Sequence, residues 1–417
     1  MLRHRRIFLA ATLIDALGSG LWVPFALLFL VHGQGMGLLD AGTSLSTGAL
    51  LALVTGPAAG AAMDRFGPRV LLIAGNVVRI AAFCAYPLVH TSWPVIVVSV
   101  VAGFGDRLFW TCNAPMVARL TSGRETDRML ATQTVGRFAG AGVGAAMMAV
   151  LPTITSPWAF HLLAYVNAAS FAVAAALLAL LPPLSRESSA PLSRESAHRG
   201  AALSRESAAS GGWRAVLGDR AFTGFCVTHM AFTLASASKF AVLPIVMRDL
   251  LHGPQWIAGT AITLGTVVVV TAQRPIVALL AKRSRTTGLV GAAALFAVSF
   301  ALLIPLEIVP LQVATGLILV TSLGFSVAEA MFGPTGTAAA AAAAPPGAEG
   351  RASSIFQLSW GLPIALAPGL LAVLLSAGNA LTWSVLALTC ASAVPALLVL
   401  RRKLPVALRE PSPSVAA

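Results

Sequence analysis

Gly60-Ala61-Ala62-Met63-Asp64-Arg65-Phe66-Gly67-Pro68-Arg69 packs three charges and a turn into a short stretch between two long runs that carry almost no charge. The runs, near 41–63 and 69–90, are each about as long as an α-helix must be to cross a hydrocarbon layer of roughly 30 Å at about 1.5 Å per residue. Two such helices joined by a short polar turn form a hairpin in a membrane. The turn stays in water because its charges cannot enter the hydrocarbon cheaply, and Gly67 suits a backbone with positive φ.

Working outward, the same pattern repeats. Apolar runs fall near 7–31, 41–63, 69–90, 93–119, 130–151, 157–181, 220–247, 256–281, 287–305, 311–335, 353–376 and 381–400. Hydrophobic residues make up 57% of the 417 positions and charged residues 10%, more apolar surface than a soluble core could hide. None of the runs alternates with period two, which argues against a barrel. The expected fold class is therefore an all-α membrane protein of twelve transmembrane helices. The first run follows Arg3, Arg5 and Arg6 as a signal peptide would, but it is too long and no small-residue cleavage site follows it.

The net charge of +13 invites a nucleic-acid reading, and the placement of the basic residues removes it. With the N-terminus inside, Arg65 and Arg69, Arg119, Arg124 and Arg128, Lys282, Arg283 and Arg285, and Arg401, Arg402 and Lys403 all fall in cytoplasmic segments, whereas the outer segments hold only Arg248. That is the positive-inside rule, and it places both termini in the cytoplasm of a cell whose inner membrane holds the chain. Cys84, Cys112, Cys226 and Cys390 each lie within an apolar run without a C-x-x-C pair, so packing is their expected role.

The domain plan is a six-helix bundle over 1–181, a linker over 182–212, a second six-helix bundle over 213–403 and a tail over 404–417. The linker repeats Leu-Ser-Arg-Glu-Ser from Leu184, Leu192 and Leu203 and has the composition of a disordered tether. The halves resemble each other: Pro57 aligns with Pro275, and a shift of one further residue aligns Gly105 with Gly324 and Pro115 with Pro334. A duplicated bundle of this kind holds its binding site between the repeats near the membrane midplane.

The turn at 60–69 resembles the G-x-x-x-D-R-x-G-R-[KR] signature of the major facilitator superfamily, departing from it at Pro68, so that the second basic residue falls at Arg69. The resemblance implies two pseudo-symmetric six-helix bundles that expose a central cavity to each side in turn. It also implies a cytoplasmic gate built on Gly60, Asp64, Arg65, Gly67 and Arg69, with Asp64 drawn to the positive N-terminus of the eleventh helix near Ala352 and Ser353. Gly60 is expected to let two helices approach closely. Gly136, Gly140, Gly142 and Gly144 in the fifth run resemble, without its proline, the glycine-rich motif of the antiporter members; small residues at these spacings also serve any tight pair of membrane helices.

Charges at membrane depth are costly and so are candidates for function. Asp15 lies eight residues into the first run, roughly 12 Å from its cytoplasmic start. An isolated carboxylate at that depth could gain and lose a proton as water access alternates, and an acid in the first helix resembles the placement in proton-coupled exporters of the superfamily. Asp106 and Arg107 share the fourth run, where neighbours point about 100° apart. Arg107 is expected to hold Asp15 or Asp106 ionised in one state and release it in another. Arg274 and Glu329 are expected to pair in the second half, while Arg79 and Arg137 are read as snorkelling or bracing the cytoplasmic gate, His229 as a hydrogen-bonded histidine in preference to one that titrates near neutral pH, and Lys239 is unassigned.

Trp22, Phe25, Trp110, Phe240, Phe325 and Trp360 are candidates to line the cavity; filling helix interfaces is the competing role for such aromatics. The expected function is secondary active transport: proton-coupled efflux of amphipathic small molecules such as a drug or secondary metabolite. Uptake of a metabolite and a non-transporting membrane protein such as a lipid scramblase stand as alternatives. No H-E-x-x-H, G-x-S-x-G, His cluster or Walker loop is present, so enzymatic chemistry, a metal and a cofactor are not expected. The expected partners are the solute, protons and lipid, with the chain acting as a monomer and no nucleic acid involved.

Overall fold

A computed structural model of the chain describes residues 2–23, 25–121, 124–150, 157–182, 212–254, 256–281, 283–345 and 348–402. The linker and the tail fall almost entirely outside these residues, as does the side chain of Asp64. Among the described residues the regular structure is helical, with no β-strand. That is the solution hydrocarbon imposes on a single apolar segment, because only a helix satisfies its own backbone hydrogen bonds.

The helices are α1 (Leu2–Trp22), α2 (Leu38–Leu53), α3 (Gly56–Phe66), α4 (Pro68–Ala85), α5 (Ser92–Leu120), α6 (Arg124–Val150), α7 (Pro157–Ala179), α8 (Gly212–Gly218), α9 (Arg220–Ile245), α10 (Trp256–Ala281), α11 (Arg285–Ala301), α12 (Leu311–Ala343), α13 (Glu349–Ala377) and α14 (Asn379–Arg401). Nine helical segments among the described residues are long and apolar enough to cross a membrane, and α2 is a shorter apolar helix.

Three runs differ from their sequence reading. The first is interrupted after Trp22 and resumes as a helical turn at Ala26–Leu28 that widens into a π-helical turn at Phe29–Gly33. The second is split into α2 and α3 at Val54 and Thr55, just before Pro57, whose missing N–H suits the first turn of a new helix. The tenth run does not stop near 335: the alanine-rich stretch that follows continues α12 to Ala343, as the high helix propensity of alanine favours.

The chain forms two compact units. The first comprises Met1–Ser188 with Phe240–Val267 and Ala365–Ala377; the second comprises Ser189–Lys239, Val268–Ile364 and Gly378–Ala417. In the first unit α1 packs on α6 and α7, α4 on α5 and α7, and α2 on α5. Its core includes Phe8, Leu72, Phe109, Cys112 and Met116. At Gly140 the α6 backbone lies so close to α1 that an added Cβ would run into the carbonyl oxygen of Ala16, so the glycine-rich run is used for a tight helix pair beside Asp15. In the second unit α11 packs on α12 and α14, and Phe232 stacks on Phe332 at 5.0 Å between ring centroids. Large apolar side chains such as Val54, Leu88 and Ile308 are open to the surroundings, and Trp93, Trp158 and Trp256 stand exposed at the starts of α5, α7 and α10. Lipid explains both, with the tryptophans at its interface.

Candidate functional site

The charged centre of the first unit is built around Arg79 of α4. One guanidinium nitrogen lies 2.9 Å from Asp15 Oδ1 and 3.9 Å from Asp106 Oδ1. A second donates to Asn76 Oδ1 at 2.7 Å. The group is stacked 4.2 Å from the Phe171 ring centroid and lies 5.3 Å from that of Phe109. Arg79 and Asp15 have side-chain exposures of 4% and 1%, whereas Asp106 is 40% exposed, so one cation joins a sealed carboxylate to an accessible one. Within this cluster Asp15 Oδ2 and Arg79 Nε are buried without a hydrogen-bond partner.

Arg137 of α6 adds a second cation to the cluster and acts electrostatically on both Asp15 and Asp106. Its guanidinium is 4.0 Å from the ring centroid of Trp110 and 5.1 Å from that of Phe109. One turn nearer the N-terminus of α1, a buried hydrogen-bond chain runs from Asn113 Nδ2 to Gln133 Oε1 at 3.0 Å and from Gln133 Nε2 to Thr12 Oγ1 at 3.3 Å. It ties α5, α6 and α1 together beneath the acid.

This geometry reassigns a partner. The guanidinium on Asp15 is that of Arg79 rather than Arg107, and among the described residues no ion pair joins Arg107 to an acid. Nor does Arg79 snorkel: it is a buried counter-ion. Rise along the helices could have found it, because Arg79 lies ten residues, about 15 Å, into the third run from its cytoplasmic start, nearly the depth of Asp15.

The second unit also holds an ion pair other than the expected one. Glu329 meets Lys239 Nζ at 3.7 Å and accepts from Ser236 Oγ at 2.6 Å. Lys239 Nζ also donates to Ser326 Oγ at 3.4 Å. Arg274 is exposed on α10 and does not pair with Glu329. Nearby His229 is enclosed by aromatic rings, among them Phe356 at 4.6 Å and Phe332 at 5.0 Å, with Nδ1 hydrogen-bonded to Ser359 Oγ at 2.9 Å.

In the 60–69 turn, Gly67 has φ +80°, which fits glycine at the junction of α3 and α4. Arg69 donates to the carbonyls of Leu178 and Ala179 at 3.2 and 2.8 Å, closing the C-terminal end of α7. Arg65 lies over the ring of Phe66 at 5.2 Å. Gly60 does not fill the expected role, because among the described residues a Cβ there would meet nothing within 4 Å.

The aromatic candidates divide. Trp22 is packed among Phe29, Phe83 and Tyr86 at 5.1, 4.9 and 5.0 Å. Phe25 is buried, and Phe325 packs on Phe300 at 4.7 Å, so these three are helix-interface residues. Trp110 is 48% exposed on the same face of α5 as Asp106, one turn away. Phe240 and Trp360 are partly buried.

Residues 7–368 match the family model described as Major Facilitator Superfamily. The Multidrug resistance protein MdtH of Yersinia pestis (strain Pestoides F) and that of Yersinia pseudotuberculosis (strain YPIII, serotype O:3) are each 26% identical to the chain over 244 residues, 58% of this chain and 56% of theirs. The chain thus spans about half the length of the curated relatives it matches. Among solved structures, a POT family transporter in complex with 5-aminolevulinic acid has a TM-score of 0.75 at 15% identity, covering 97% of this chain and 96% of its own. The D-xylose-proton symporter has a TM-score of 0.70 at 14% identity, covering 94% and 97%. At those identities the likeness is one of fold. A sequence match that runs through both halves, on a fold shared with these transporters, makes the chain a member of the major facilitator superfamily.

Proposed function

We propose that the chain is a twelve-span secondary transporter of the cytoplasmic membrane, with both termini in the cytoplasm, that exports amphipathic small molecules in exchange for protons. The observation that carries this reading is the shared cation: Arg79 stands 2.9 Å from the sealed Asp15 and 3.9 Å from the half-exposed Asp106. A proton on Asp15 removes its charge and releases Arg79 toward Asp106. A solute engaging Asp106 and the exposed ring of Trp110 does the converse, returning Arg79 to Asp15 and favouring loss of the proton. Proton and solute then compete through one guanidinium, which is what exchange requires.

Export is favoured over uptake by the similarity to a protein named for multidrug resistance. The fold alone is shared with a symporter and does not choose a direction. Asp64 and its turn serve as the cytoplasmic gate, the linker is a tether, and the chain works as a monomer. In proteoliposomes with an imposed pH gradient, Asp15→Asn is expected to abolish uphill movement of a lipophilic dye such as ethidium while leaving the protein folded. Unchanged uphill transport in that variant removes Asp15 from the mechanism. Flipping of labelled lipid by the wild type with no solute-dependent proton flux would turn the reading to a scramblase.

A further inference from the structure

The turns that end the first and seventh runs are built alike. In the first, the Gln34 and Met36 amides donate to the carbonyls of Phe29 and Leu30, both at 3.0 Å. In the second, the Leu251 and Gly253 amides donate to those of Val246 and Met247 at 3.0 and 2.8 Å. Each atom in the second turn belongs to the residue 217 positions after its counterpart in the first, and both turns are π-helical, over Phe29–Gly33 and Val246–Leu250. His32 and Asp249 are separated by the same 217 positions, and they bond to each other, Nε2 to Oδ1 at 2.9 Å. One site of the repeat therefore meets its own equivalent.

The same step carries Ser46 to Thr263, and these too make matching contacts. Ser46 Oγ donates to the Leu366 carbonyl at 3.2 Å and accepts from the Gly369 amide at 2.7 Å. Thr263 Oγ1 donates to the Gly142 carbonyl at 3.2 Å. Each hydroxyl thus ties a helix of one half to a glycine-bearing helix of the other, and all these residues belong to the first compact unit.

We infer that the His32–Asp249 bond is the latch of the outer gate: it joins equivalent turns of the two repeats, breaks when the outer side opens, and holds harder when His32 carries a proton. At a pseudo-twofold contact, like residues would repel or leave one another unpaired; a base facing an acid is the pairing that closes it. The side chains are 24% and 38% exposed, so outside water reaches both. A proton on the imidazole makes this bond an ion pair, whereas the flanking hydroxyl bonds are neutral. The other titratable or charged groups on these turns and on the elements packed against them include Asp40, Tyr86, His161, Tyr165, Arg248 and His252; His161 is already engaged by Gln34 Nε2 at 3.0 Å.

The inference rests on the alternating access proposed above, but its readout is exposure and not transport. The test is hydrogen–deuterium exchange of the full chain in lipid nanodiscs at pH 6 and pH 8, corrected for intrinsic exchange, with peptides covering 38–48 and 256–267. His32→Ala and Asp249→Ala are each expected to speed exchange there about three- to five-fold, in keeping with a partly exposed ion pair. The exchanged pair His32→Asp with Asp249→His is expected to restore the wild-type rate within about two-fold, because the two turns are equivalent. Wild-type exchange is expected to be slower at pH 6 than at pH 8, with the difference lost in His32→Ala. Wild-type rates in both single variants, an exchanged pair no better than the singles, or a pH response that survives in His32→Ala each overturns the latch. A failed latch with Asp15→Asn still uncoupled leaves the transport reading intact.

Discussion

Replacing Arg79 with methionine removes one end of a buried ion pair and leaves the other in place. At 2.9 Å and an effective dielectric of about 20, the gross attraction between Arg79 and Asp15 is about 6 kcal/mol. Attraction to Asp106 at 3.9 Å is about 4 kcal/mol on the same scale, and solvent screening at this half-exposed carboxylate reduces it further. Most of the gross term offsets desolvation, so the measurable quantity is the cost of stranding Asp15. Breaking a buried pair from one side costs about 3–5 kcal/mol. Asp15→Asn strands the guanidinium instead, but the damage is smaller, because Arg79 keeps Asn76, the Phe171 ring and Asp106. The double variant leaves no buried charge unpaired, although Asn76 Oδ1 loses its donor, and methionine suits the space between Phe171 and Phe109. A double-mutant cycle read by thermal unfolding in detergent is therefore expected to rank wild type and double variant together, Asp15→Asn below them and Arg79→Met lowest. With the double variant level with wild type, the coupling between the two sites is expected to be at least the cost of Arg79→Met alone, about 3–5 kcal/mol. Arg79→Met unfolding at the wild-type temperature, or a double variant no more stable than Arg79→Met, refutes the assignment of Arg79 as the counter-ion of Asp15.

In the second unit, Lys239→Met is expected to destabilise by about 3 kcal/mol or more and Glu329→Gln to rescue it, while Arg274→Met leaves thermal unfolding within about 0.5 kcal/mol of wild type; equal effects of the two cation substitutions would count against the pairing. Gly67→Ala forces a Cβ onto a backbone at φ +80° and ψ 159°, a region open essentially to glycine alone, and is expected to cost about 1–3 kcal/mol, whereas Gly60→Ala, unobstructed among the described residues, is expected to gain about 0.5–1 kcal/mol from helix propensity, so the two should shift the unfolding temperature in opposite directions. Deleting residues 185–209 is expected to preserve expression and transport of the same dye, and loss of transport at normal expression would show that the linker is more than a tether.

What the sequence made legible was what the solvent imposes. Apolar length and the polar turn at 60–69 follow from the cost of taking charge or bare backbone into hydrocarbon, and the family was legible through the resemblance of that turn to a known signature. Each charged candidate could be placed at depth for the same reason. Pairing was harder, because it depends on which helices adjoin and on where each one ends. Asp15 and Arg79 are 64 positions apart on separate helices, and nothing local marks them as partners.

Glu329 shows what opposite charge alone leaves undecided. With the tenth run closed near 335, its carboxylate sits about 9 Å from the end of the helix, close to the roughly 10 Å depth of Arg274 in its own helix, and the two look matched. Continued to Ala343, α12 places Glu329 about 21 Å from its end, out of step with Arg274 and within reach of the long Lys239 side chain from α9. The repeat register behaves in the same way. The step is 217 positions at His32 and Asp249, one more from Pro57 to Pro275, and one more again from Gly105 to Gly324. Small insertions in successive turns account for that drift, since lengthening a loop by one residue costs little. Prolines and glycines exposed the later steps because kinks and close approaches need those residue types. The earliest step is carried by a histidine, an aspartate and two hydroxyls, which no composition rule aligns; only the bonds they make mark them as equivalent, and those bonds are what the latch tests.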